Sequence, residues 1–247
     1  MKLIQTKSFK LAIFTRGNKN SEKLAVLMPG RMDTKDYINF VSHADYLADK
    51  NFFVIVFDPP YTWESPGDTE LFTTTNYIKA TNELIEYFGN KPTLLLGHSR
   101  GATTAVLVAK TNPIVIGIIT VMANFGTPTS PSNEDIQKGY REEVRDIPPG
   151  SSKTDIKKRF KLSLIYWEDG RQYNAGETLK SLTKPKLIIY GTKDEFVSPN
   201  DVKELYKNFS EPKIIKEIDS THDYRYYPKA IEEVNETIGQ FLDKNTK

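Results

Sequence analysis

Short runs of consecutive apolar residues alternate along this chain with stretches in which apolar residues recur every three or four positions. Leu24-Ala25-Val26-Leu27-Met28, Phe52-Phe53-Val54-Ile55-Val56-Phe57, Leu94-Leu95-Leu96, residues 114–122 and Leu187-Ile188-Ile189-Tyr190 read as strands buried on both faces. Residues 9–15 and 213–218 are more polar strand-like runs. Tyr37, Phe40, Val41, Ala44, Leu47 and Ala48 trace the inner face of a helix over 37–49, which leaves His43 on its solvent edge. Tyr77, Ala80, Leu84 and Phe88 mark a second helix, and Ile231, Val234, Ile238 and Phe241 mark a closing helix over 229–243. The alternation predicts an α/β fold, a mostly parallel doubly wound sheet with helices on both faces. Residues 9–15 and 24–28 are expected to open it as an antiparallel edge.

Between about 124 and 182 the pattern breaks, and Pro128, Pro131, Pro148, Pro149 and Gly150 separate two predicted helices over 133–145 and 154–168. This predicts a short helical cap inserted between core strands, too small for a core of its own, so that residues 1–247 form one domain. Its aromatic residues Tyr140, Phe160, Tyr166, Trp167 and Tyr173 are expected mainly to pack the cap down, and together to give a partly apolar pocket. Tyr61 and Trp63, in the turn-rich loop 58–73, read as loop anchors.

The chemistry is concentrated at Gly97-His98-Ser99-Arg100-Gly101, entered by a strand and left by a helix over 102–110. A serine at a tight strand-to-helix turn is pushed into the open, with small residues two positions away on either side. The helix behind it aims free backbone N–H groups at any negative charge that forms there. Such a serine needs a base and an orienting acid. Of three histidines, His43 reads as surface and His98 points away from its neighbour, which leaves His222, just after the 213–218 strand. Asp194, past the end of the 187–190 strand, is the expected acid. Glu195 is its adjacent rival, and Asp223 reads as a turn or capping residue.

The order Ser99, Asp194, His222 resembles that of the α/β-hydrolase superfamily over almost the whole chain. The resemblance is specific at residues 97–101, 191–199 and 220–223. It is looser at Pro29-Gly30-Arg31-Met32-Asp33, where Pro29 stands in place of the usual histidine. It implies an oxyanion hole made by the backbone N–H groups of Arg31 and Arg100, with Met32 the alternative to Arg31. It also implies a serine hydrolase cleaving a carboxylic ester of a small to medium acyl group. Peptidase or amidase, thioesterase and acyltransferase are alternatives on the same fold, and a non-catalytic binding module is a more distant one.

Composition narrows the setting. The 247 residues carry 34 basic against 32 acidic side chains, a formal charge of +2, so nucleic acid has little electrostatic hold and a small-molecule partner is expected. The absence of cysteine excludes disulfides, thiol catalysis and cysteine-ligated metals. Neither a metal nor an organic cofactor is expected. The first residues lack a signal-peptide apolar stretch, and no run is long enough to span a bilayer, which points to a cytoplasmic protein.

Overall fold

The computed structural model describes residues 2–126 and 129–245. Pro128, read above as a turn marker, lies outside them. The chain opens with β1 (Lys2–Gln5), β2 (Lys10–Arg16), β3 (Lys23–Met28), α1 (Ile38–Asp49), β4 (Phe52–Phe57), α2 (Thr74–Tyr87), β5 (Thr93–His98), α3 (Arg100–Thr111) and β6 (Val115–Val121). It continues with α4 (Asn133–Lys138), β7 (Tyr140–Asp146), β8 (Lys157–Ser163), α5 (Ile165–Gly170) and α6 (Ala175–Leu179). It closes with β9 (Lys186–Gly191), α7 (Pro199–Lys207), β10 (Lys213–Ile218) and α8 (Pro228–Asn245).

Eight strands form one sheet in the order β1-β2-β4-β3-β5-β6-β9-β10. β1 pairs antiparallel with β2, and β2 with β4, while every pairing from β4 through β10 is parallel. The antiparallel edge is therefore β1 and β2. The 24–28 run, expected at that edge, is an interior parallel strand, as its wholly apolar sequence fits.

Alternate strand residues feed two cores. Val26, Met28, Ile55 and Leu95 pack with Tyr77 and Leu84 of α2 and Ala102, Val106 and Ala109 of α3. Ala25, Leu27, Val54, Val56, Leu94 and Leu96 face Phe40, Ala44 and Leu47 of α1 and Ile231, Val234 and Ile238 of α8. A side chain in a central strand has nowhere polar to go on either face, so the strand sequence runs continuously apolar instead of alternating.

The segment between β6 and β9 differs from expectation. The helix predicted over 133–145 ends at Lys138, because Gly139 takes a left-handed conformation (φ 76°) that caps it. Residues 140–146 and 157–163 then pair as an antiparallel hairpin, in place of the helix predicted over 154–168. Phe160 and Leu162 of β8, with Trp167 of α5, close a third small core over Met32 and Phe72. The period-two alternation of Phe160 and Leu162 with Lys and Arg is the strand signal in this segment.

His43 is likewise corrected. It is buried, with Nδ1 2.6 Å from Asn235 Oδ1 and Nε2 2.8 Å from Tyr224 Oη. α8 and the turn before it cover the face of α1 that was read as open to solvent. Among the described residues no helix is long and apolar enough to cross a membrane.

Candidate active site

The site lies at the carboxyl ends of the parallel strands, where β3, β5, β9 and β10 release their loops. Ser99 sits between β5 and α3 with φ 51° and ψ −119°, a conformation that side chains rarely adopt. Its N–H donates to Val121 O at 2.8 Å, which ties the turn to β6. Close approach dictates the flanking glycines. A Cβ on Gly101 would lie 1.9 Å from Met28 O, and one on Gly97 would lie 2.3 Å from Ala102 N.

His222 Nε2 is 2.9 Å from Ser99 Oγ, and its Nδ1 is 2.9 Å and 3.1 Å from the two oxygens of Asp194. Asp194 Oδ1 also accepts the N–H groups of Phe196 and Val197, each at 2.9 Å. Burial alone would raise the Asp194 pKa, but the hydrogen bond and charge of His222 and these two amides outweigh it and hold it below the ordinary value. Glu195 takes a different partner, accepting the backbone N–H of His222 at 3.1 Å. The acid and histidine loops are stitched together where Thr192 N–H donates to Ile218 O and Lys193 N–H to Ser220 O, both at 3.0 Å. Asp223 forms an ion pair with Arg225 at 2.8 Å.

His98 packs beside the turn, and its partners were not foreseen. Its Nε2 lies 3.1 Å from the backbone oxygen of His222 and its Nδ1 lies 3.0 Å from Asp33 Oδ2, so both nitrogens face acceptors. Burial pushes the Asp33 pKa up, yet the hydrogen bond and charge of His98, with Arg145 and Arg225 beyond, bring it well below the usual carboxylate range. The signal was in the sequence, since Asp33 closes the loop after β3, but no pattern linked it to His98.

The loop after β3 is held by its carbonyls. Tyr77 Oη donates to Pro29 O at 2.8 Å, Arg145 Nη2 to Arg31 O at 2.7 Å and Trp63 Nε1 to Met32 O at 2.8 Å. Among the described residues, the N–H groups of Arg31 and Met32 have no hydrogen-bond partner within the protein. Arg100 opens α3, so its N–H is one of the four that a helix start leaves unpaired. Beside Ser99 lies a cavity of about 450 Å³, lined in part by Arg31, Arg100, Tyr166, Trp167, Tyr173 and Phe196. Tyr61 and Trp63 instead anchor their loop, Tyr61 Oη donating to Lys161 O at 3.0 Å. Phe160 stacks edge-on against Trp63 at 5.5 Å.

Residues 26–145 match the family model of the α/β hydrolase fold, and residues 138–247 match that of PhoPQ-activated pathogenicity-related protein. The fold is similar to that of Est1E from Butyrivibrio proteoclasticus with bound ferulic acid. That match has a TM-score of 0.79 at 20% identity, over 100% of this chain and 99% of that one. It is also similar to mouse alpha/beta hydrolase domain-containing protein 10 (TM-score 0.77, 18% identity, 98% of each chain). The monoacylglycerol lipase of Paleococcus ferrophilus is a further likeness (TM-score 0.74, 18% identity, 95% of this chain and 99% of that one). No curated protein matches the sequence. The chain has the α/β-hydrolase fold.

Proposed function

We propose that this protein is a serine hydrolase that cleaves a carboxylic ester through an acyl-enzyme, with Ser99 as nucleophile, His222 as base and Asp194 as the orienting acid. The contact that carries the reading is the continuous hydrogen-bonded line from Asp194 through the imidazole to Ser99 Oγ. His222 Nε2 takes the serine proton as Oγ attacks the acyl carbon, and Asp194 steadies the imidazolium that results. The oxyanion is received by the N–H of Arg100 and that of Arg31 or its neighbour Met32. Two facts support that assignment: the carbonyls of Pro29, Arg31 and Met32 are already engaged elsewhere, and among the described residues the N–H groups of Arg31 and Met32 have no partner. The alcohol leaves with the proton from His222, and water activated by the same nitrogen releases the acid.

The 124–182 segment acts as a cap within the single domain 1–247, and its aromatic side chains border an acyl or leaving-group pocket. The cavity's size falls in the range of small-ligand sites. A carboxylic acid is the ligand named for the similar Est1E structure, which fits an acyl substrate released as its acid. The test is hydrolysis of short p-nitrophenyl esters by purified wild type and Ser99→Ala. Wild type turns over and the variant falls by at least roughly a thousandfold; equal rates would sink the assignment.

A further inference from the structure

Three arginines line the cavity, Arg31, Arg100 and Arg145. Two have carboxylate partners. Arg31 Nε is 3.2 Å from Glu143, and Arg145 is 3.4 Å from Asp33 and 3.6 Å from Glu143. Arg100 has none. The residue is 9% exposed, and among the described residues its Nε, Nη1 and Nη2 are all buried without a hydrogen-bond partner.

Aromatic rings hold its guanidinium in place, with Phe72 at 3.9 Å, Tyr77 at 4.9 Å and Tyr166 at 5.3 Å. Rings satisfy the faces of a guanidinium but not its edge, which carries five N–H donors in a planar fork. Asp169 draws on Arg100 only from beyond ion-pair distance, and its own oxygens are taken by Thr75. A buried cation without a counter-ion is costly. Burial lowers the Arg100 pKa, the direction expected of a charge kept waiting for a partner.

We infer that Arg100 is a substrate-binding residue whose guanidinium edge receives a carboxylate, so that the preferred ester carries a free acid group, as the half-ester of a dicarboxylic acid does. The inference rests on the ester-hydrolase reading for the reaction, and on the buried, unpaired guanidinium for the charge. The carboxylate approaches from the cavity as the half-buried Tyr166 ring, the cage member that also lines the cavity, turns aside. A single guanidinium balances a monoanion; a phosphate monoester, with close to two charges at neutral pH, would leave one uncompensated.

The test is calorimetric titration of Ser99→Ala with monomethyl glutarate and with its neutral counterpart, dimethyl glutarate. The charged ester binds at least roughly tenfold more tightly, as a charge-assisted bidentate pair requires. Adding Arg100→Met removes that preference, and Arg100→Lys, which keeps the charge and loses the fork, restores only part of it. Equal binding of the two esters, no binding of either at millimolar concentration, or a preference that survives Arg100→Met overturns the proposal. Inorganic phosphate binding more tightly than monomethyl glutarate also overturns it. Turnover of dimethyl glutarate by wild type, measured in parallel, separates the two readings. Turnover without a charge preference removes only the role of Arg100, whereas a charge preference without turnover removes only the hydrolase.

Discussion

Ser99 bears a backbone strain that costs on the order of 1–3 kcal/mol, and the surroundings repay it with a fixed hydroxyl aimed at His222. The neighbouring carboxylates are told apart by what they touch. Asp194 meets the imidazole and Glu195 meets only the backbone N–H of the same histidine. Asp194→Asn is therefore expected to lower kcat by about 10⁴-fold through loss of the correct imidazole tautomer, whereas Glu195→Gln lowers it less than about tenfold. Steady-state kinetics on a p-nitrophenyl ester checks both, and similar losses would mean that the acid has been misassigned. The choice between these two residues was legible in the sequence because side chains next to each other past a strand end point apart. The role of Glu195 was not, since a bond to a backbone N–H leaves no pattern in residue types. The pairing of His98 with Asp33 joins residues 65 positions apart, and nothing in either local stretch announces it.

At the level of elements, the strand-turn-helix unit from β5 to α3 was readable because it combines a buried run, a motif and a helical run without a break. The Gly101→Ala change drives a Cβ into Met28 O, so the helix must shift away from β3. A loss of stability of about 2 kcal/mol or more is expected in chemical denaturation, together with a weaker serine nucleophile. The hairpin from β7 to β8 was misread because Lys and Glu favour helices in isolation, while pairing and burial of Phe160 and Leu162 decide the outcome.

The seam between α1 and α8 is the other misreading. His43 looks exposed when α1 is considered alone and becomes buried once α8 packs on it. Asn235 Oδ1 can only accept, so Nδ1 carries the proton and Nε2 accepts from Tyr224, a neutral ring. Burial lowers its pKa to about 4. An unfolded histidine titrates near 6.5. Between those values the unfolded chain binds the proton and the folded one does not, so stability falls as pH drops from about 6.5 to about 4, by about 3 kcal/mol in all. Below that range the loss is complete. Comparing denaturation of wild type and His43→Gln across this range isolates the effect from carboxylates that titrate nearby. Parallel pH profiles for the two proteins would contradict it.

Across the whole molecule, the hairpin is wired into the core as well as laid on it. Arg225 donates to Asp146 at 2.9 Å, Tyr37 Oη donates to Asp146 O at 2.8 Å, and Arg145 grips the loop that carries the candidate oxyanion amides. Arg145→Ala is expected to reduce kcat, because its two hydrogen bonds to Arg31 O orient the loop, and to lower the melting temperature modestly, because buried Asp33 and Glu143 lose a cationic partner. A large drop in melting temperature with unchanged kcat would contradict that division. The doubly wound, mostly parallel sheet and the placing of Ser99, Asp194 and His222 past strand ends followed from local patterns, whereas the interior position of the 24–28 strand did not. The 124–182 segment and the cavity depend on contacts between distant segments, and that is where the sequence was least legible.

The central claim is that Ser99 is a nucleophile activated by His222. Labelling with a fluorophosphonate probe, with the adduct located by mass spectrometry, tests it most directly. The account predicts a stoichiometric adduct on Ser99 in wild type and none in Ser99→Ala. It also predicts labelling slowed by orders of magnitude in His222→Ala. Folded wild-type protein that takes no label, or an adduct on another residue, would contradict it.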